Sequence, residues 1–185
     1  MNYKELDTLI TFKMGIPSIY HIMLGMSCDE TEDCQTELSG KNTDNFDLND
    51  FLKKYDVTVE RTAFTSSFRL CGLTITFPLE LIKENDAKML FNYFACRENI
   101  IEKKFSFTSG TDDSIKDLNI VCKYDLFEVQ IEKETDVENE CQFVVIRISS
   151  DDDVNLDKLL CIAIISNNEK GFWGDVCEYV DKNTN

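Results

Sequence analysis

Twice along the middle of this chain the apolar residues alternate as in a β-strand and then slip phase by one residue. In Phe68–Phe77 they pass from Phe68 and Leu70 to Leu73, Ile75 and Phe77 across Cys71-Gly72. Between Leu118 and Glu132 they pass from Ile120, Cys122, Tyr124 and Leu126 to Phe127, Val129 and Ile131. A one-residue slip at a glycine is what a β-bulge produces. The second slip marks either a bulge or a tight turn near Asp125. Val57–Phe64 alternates as a further strand, and 127–134 with 141–149 reads as a hairpin closed through 135–140.

Near the start, Leu9–Met14 and Ser18–Leu24 read as strands joined by Gly15-Ile16-Pro17. Three stretches read as helices. Asp47–Tyr55 has an acidic first turn and Lys53-Lys54 in its last. A second starts near Asn85, read as its N-cap, with Leu90, Phe91, Phe94 and Ala95 at helical spacing and Asp86 supporting its first turn. A third follows Asp151-Asp152-Asp153 and carries Leu156, Leu159, Leu160, Ala163 and Ile164, although 160–165 also fits a buried strand. Phe172–Val180 reads as a terminal helix. Strands outnumber helices and do not alternate with them. The expected fold is therefore α+β: an antiparallel, or mixed, sheet covered by two or three helices.

All 185 residues, with 2 Pro and 7 Gly, are expected to form a single domain, 1–185. Residues 27–46 show no apolar period and read as a long, acidic, exposed loop, the kind that is functional or disordered. No apolar run reaches the ~20 residues a spanning helix needs, so no membrane span is expected. Eight cysteines, no leader-like start and no Asn-x-Ser/Thr sequon favour free thiols and an intracellular place, cytoplasmic or nuclear. Cys122, Cys141 and Cys161 lie in apolar runs where a thiol acts as a small hydrophobe.

The net charge of −16 is unevenly spread: −7 over 1–50, +1 over 51–100, −5 over 101–150 and −5 over 151–185. Such a chain repels phosphate backbones and anionic membranes and attracts basic partners. The cations Lys53, Lys54, Arg61, Arg69, Lys83, Lys88 and Arg97 concentrate in the neutral part, where ordinary ion pairs account for them better than a basic patch.

Candidate chemistry is thin. His21 is the single histidine and sits in an apolar run, so a hydrogen-bonded structural role is expected rather than catalysis. Cys28 and Cys34 are the first candidates for zinc, but no close Cys pair accompanies them. Asn45-x-Asp47-x-Asn49 and Asp151-x-Asp153-x-Asn155 imitate the start of a calcium loop, yet both lack its glycine and closing glutamate, so helix capping explains them. Neither common nucleotide-binding glycine loop occurs, and no cofactor is expected.

The leading expectation is a non-enzymatic, acidic protein-binding module, of the inhibitor, immunity or complex-subunit kind, that meets a basic protein partner and no nucleic acid directly. Its candidate contacts are Asp29, Glu30, Glu32 and Asp33, with Asp151, Asp152 and Asp153. An enzyme with a carboxylate- or cysteine-based site is the alternative class; a nucleic-acid mimic is a third reading.

Overall fold

The computed structural model describes residues 1–111, 114–150 and 153–167. Its centre is a six-stranded sheet in the order β3-β4-β8-β7-β6-β5, antiparallel throughout. The strands are β3 (Thr58–Phe64), β4 (Leu70–Pro78), β5 (Ile100–Ser109), β6 (Ile115–Tyr124), β7 (Glu128–Asp136) and β8 (Cys141–Ser149). Two three-residue strands, β1 (Thr11–Lys13) and β2 (Ile16–Ser18), form a separate hairpin. Five α-helices accompany them among the described residues: α1 (Tyr3–Leu9), α2 (Cys28–Ser39), α3 (Phe46–Lys54), α4 (Glu84–Ala95) and α5 (Asp153–Asn167). The single-domain α+β fold with an antiparallel sheet is thus the architecture expected from the strand-rich pattern.

The strand register explains the alternation. Leu73, Ile148, Val129 and Cys122 lie in one row across the sheet, and Ile75, Ile146, Ile131 and Ile120 in the next. All eight are buried, and they form one cluster with Leu52 of α3, Leu90 and Phe94 of α4, and Leu156 and Leu159 of α5. The opposite face carries Thr74, Arg147, Gln130 and Val121 in one row and Thr76, Val145, Glu132 and Asn119 in the next. There Arg147 pairs with both Glu132 and Glu134. One greasy face and one polar face is the division an antiparallel sheet permits.

Both phase slips have structural causes. Between β3 and β4 the pairing shifts on either side of Ala63–Gly72, so that Ala63 faces Gly72 while the next residue, Phe64, faces Leu70. Gly72 belongs there because a Cβ would stand 2.9 Å from the Cβ of Ala63. The second slip is a turn: β6 ends at Tyr124, β7 starts at Glu128, and the Tyr124 amide bonds the Phe127 carbonyl at 2.9 Å. The 127–134 and 141–149 hairpin also forms, as β7 and β8.

Other expectations are corrected. Residues 27–46 are not a loop, because Cys28–Ser39 is helical. Ser27 Oγ accepts the Glu30 amide at 3.3 Å while Glu30 Oε2 accepts the Ser27 amide at 2.8 Å, a reciprocal cap that starts the helix without any apolar period. The same device, Asn2 with Glu5, starts α1, which the strand reading of 9–14 overlooked. The run 18–24 is not a strand beyond Ser18: Ile19 and Ile22 exchange backbone hydrogen bonds around a turn at Tyr20-His21, and Ile22, Met23 and Leu24 are buried as irregular chain. At α4 the cap is Lys83 rather than Asn85, with Asp86 Oδ2 accepting the Lys83 amide at 2.9 Å. Strand β5 was not anticipated at all. The segment 160–165 is helical, within α5. The expected terminal helix at 172–180 lies outside the described residues.

Gly25 determines how close α5 can come. Its φ is +89°, and a Cβ there would meet the Leu156 carbonyl oxygen and the Leu160 amide nitrogen, both at 2.8 Å. Only glycine serves at such a backbone approach. Among the described residues no helix is long and apolar enough to cross a membrane.

Candidate protein-binding surface

Helix α2 is built as two unlike halves. At 100° per residue, Asp29, Glu30, Glu32, Asp33 and Glu37 fall within an arc of about 160°, and all five are exposed. The opposite arc carries Thr31 and Leu38, which are buried, with Cys28, Cys34 and Gln35 partly so. Polar ties rather than apolar bulk hold this inner arc. Gln35 Nε2 donates to the Val59 carbonyl at 2.7 Å, and Arg61 Nη1 donates to the Cys28 carbonyl at 2.8 Å and to Thr31 Oγ1 at 2.9 Å. The helix is thereby fastened along edge strand β3, carboxylates outward.

The four expected contact residues Asp29, Glu30, Glu32 and Asp33 therefore come together on one helix flank. The Glu30 carboxylate is committed to the cap, whereas among the described residues the side-chain carboxylates of Asp29, Glu32 and Asp33 form no hydrogen bond or ion pair. Asp153 opens α5, and Asp151 and Asp152 lie outside the described residues.

The acidic flank continues beyond α2 to residues the sequence did not single out. Tyr20 donates its hydroxyl proton to Glu37, and the same oxygen accepts the Asp44 amide at 3.2 Å. Burial, then the hydrogen bond to Glu37, pushes the Tyr20 phenol up to about 12. Tyr20 and His21 have φ of +43° and +71°, a left-handed pair that non-glycine residues adopt at a cost. His21 is exposed, with its ring 5.2 Å from that of Tyr20. Below them, burial and then Glu37 and Asp33 raise the Cys34 thiol, which disfavours a reactive thiolate.

The metal candidates are separated by the helix itself. Cys28 and Cys34 lie about 120° apart around α2, with a rise of about 9 Å between them, and Cys28 Sγ faces Arg61 at 3.7 Å. Among the described residues no group of three His, Cys, Asp or Glu side chains could hold a metal ion. Asn45 caps α3, its Oδ1 accepting the Leu48 amide at 3.1 Å, as the capping explanation of that cluster requires. Among the described residues no disulfide joins the seven cysteines; Cys122 is buried, but Cys141 and Cys161 are exposed, contrary to their apolar contexts. Four of the seven middle cations form ion pairs: Lys54 with Glu5, Arg69 with Asp157, Lys88 with Glu84, and Arg97 with Asp7.

A cleft of about 490 Å³ lies at one end of the sheet, between the β1–β2 turn, the start of β5 and the β6–β7 turn. Its walls are mainly apolar, including Ile16, Ile101, Leu126 and Phe127, and Asp125 is the one carboxylate among its described lining residues. Tyr124 lines it too, but its hydroxyl is spent on the Phe94 carbonyl at 2.7 Å. Convergent polar groups of the kind that acid–base chemistry uses are not assembled by these walls. Compared with models of known protein families, with curated proteins and with solved structures, the chain matches none.

Proposed function

We propose that the chain is a non-enzymatic protein-binding module that engages a basic surface of a protein partner through the outer flank of α2. The observation that carries this reading is the row of exposed carboxylates at Asp29, Glu32 and Asp33, held outward by a helix whose inner side is tied down by Arg61 and Gln35. Fixed on a helix, these charges need little ordering when a partner arrives, which lowers the entropic cost of association. A cluster of one sign also steers an oppositely charged partner and raises the association rate more than the affinity. The Tyr20-His21 turn and Asp44 extend the same flank and supply an aromatic contact beside it.

The test is quantitative affinity capture from the source cell, comparing the natural chain with a triple variant, Asp29→Asn, Glu32→Gln and Asp33→Asn. Circular dichroism should show both equally folded, since exposed carboxylates contribute little to stability. A partner retained by the natural chain, lost from the variant and released by ~0.5 M salt supports the reading. Partners captured equally by both chains would reject this flank as the contact.

A further inference from the structure

The far edge of the sheet carries a second, unrelated feature. Strand β5 runs ten residues at the open side of β6, and every residue in it is exposed except the partly buried Ile100 and Phe107. The other edge, β3, is guarded: its pairing is irregular on both sides of Ala63, and α2 lies along it. Irregularities in β5 occur only near its ends, between Ile100 and Glu102 and between Thr108 and Ser109. Glu102–Thr108 is thus an uninterrupted stretch with Phe105 at its midpoint. Phe105 is 40% exposed, although its ring lies 4.8 Å from Phe91 and stacks 6.2 Å from Phe107.

The geometry points to a second copy of this chain as the occupant of this edge, with β5 pairing antiparallel to β5 about a two-fold axis through Phe105. The register decides it. An axis at Lys103 or at Lys104 sets two lysines directly opposite, and an axis at Glu102 does the same with two glutamates, each destabilising. An axis at Ser106 pairs fewer regular residues. With the axis at Phe105 all of Glu102–Thr108 is paired and no like charges face each other.

The faces also match in that register. Phe105, Lys103 and Phe107 all point to the helix-covered face, since they stand opposite Ile120, Cys122 and Leu118 of β6. Phe105 then meets its own copy, and Lys103 lies across from Phe107 of the second copy, a cation–π pairing made twice by symmetry. On the polar face Lys104 meets Ser106, and Glu102 meets Thr108. The charge distribution permits the approach: β5 and β6 carry Lys103, Lys104, Lys116 and Lys123 against Glu102 and Asp117, an excess of cations in a chain of net charge −16. A single strand pair buries less than the roughly 1,000 Å² of a stable complex, so the dimer is weak and concentration-dependent.

Sedimentation equilibrium on the full chain from roughly 10 μM to 1 mM, the range of weak association, should show the mass rise from 21.4 kDa toward twice that value. Phe105→Glu and Phe105→Lys should each remain monomeric while folded by circular dichroism, and mixing the two should restore the dimer, because only this axis places position 105 opposite itself. Lys103→Glu, fully on the surface, should weaken association roughly tenfold through loss of two cation–π contacts. Lys104→Glu should leave it unchanged. Higher salt should strengthen the dimer by screening the like net charges, the opposite of its effect on a basic partner. A natural chain that stays monomeric throughout would overturn the inference, as would a dimer indifferent to position 105 or 105 variants that mixing fails to rescue.

Discussion

At the scale of residues, the unusual chemistry of this chain gathers at Tyr20. Its hydroxyl donates to Glu37 and accepts from the Asp44 amide, while its backbone sits in left-handed space beside His21. Its phenol is raised from an ordinary 10.0 to about 12, by burial first and by Glu37 second. A folded pKa above the unfolded one means that this contribution to stability is whole below pH 10.0 and is lost as pH rises through about 12. Ultraviolet titration of tyrosinate should show a high-pH step missing from Tyr20→Phe. Glu37→Gln should move that step downward, because a neutral amide no longer repels the phenolate. A Tyr20 that ionises near 10.0 would mean that Glu37 and burial do not hold it.

At the scale of elements, the cap decides α2. Ser27→Ala removes the oxygen that accepts the Glu30 amide and should cost about 1 kcal/mol of stability, as losing an N-cap usually does. Urea unfolding would measure the cost. Limited proteolysis should then cut faster near 27–33 in the variant, whereas the natural helix resists there. Preferential cleavage within 28–39 of the natural chain would contradict its fastening by Arg61 and Gln35. The case shows what was legible. Strands β4, β6, β7 and β8 bury alternate large side chains, so their pattern survives in the residues. Helix α2 buries Thr31 and Leu38 and partly buries Cys34 and Gln35, a face with almost no hydrophobic contrast, and counting apolar residues misses it. Its legible mark was Ser27-x-x-Glu30. Strand β5 escaped for a related reason: as an edge it buries little, and the bulge at Ile100-Ile101 breaks its alternation. The acidic contact residues were readable as charge, but their shared flank was not, since that depends on the helix. Tyr20, Asp44 and Glu37 meet only through tertiary structure.

At the scale of the whole molecule, the charge of −16 sets a competition between self-repulsion and ion pairing. Most described ion pairs are at least partly open to water, among them Lys104 with Glu102, Lys88 with Glu84, and Lys41 with Asp56. Exposed pairs of this kind contribute little and are screened by salt. Repulsion among an excess of carboxylates opposes the compact state and is screened by the same salt. Because the carboxylates outnumber the cations by 35 to 19, the repulsion should win. The urea midpoint at pH 7 should therefore rise between ~0.02 and ~0.5 M sodium chloride, as the Debye length contracts from roughly 20 Å to about 4 Å. Acid should act through the paired groups. Glu5 is lowered chiefly by its hydrogen bond to Lys54, and Glu84 by that to Lys88, so the stability each contributes is present above 4.5 and lost as pH falls through its depressed folded value. Moderate acidification above that range only relieves repulsion. Stability should accordingly hold or rise from pH 7 toward 5 and fall below 4.5. A midpoint that drops when salt is added at pH 7 would show instead that the few ion pairs outweigh the surplus of negative charge.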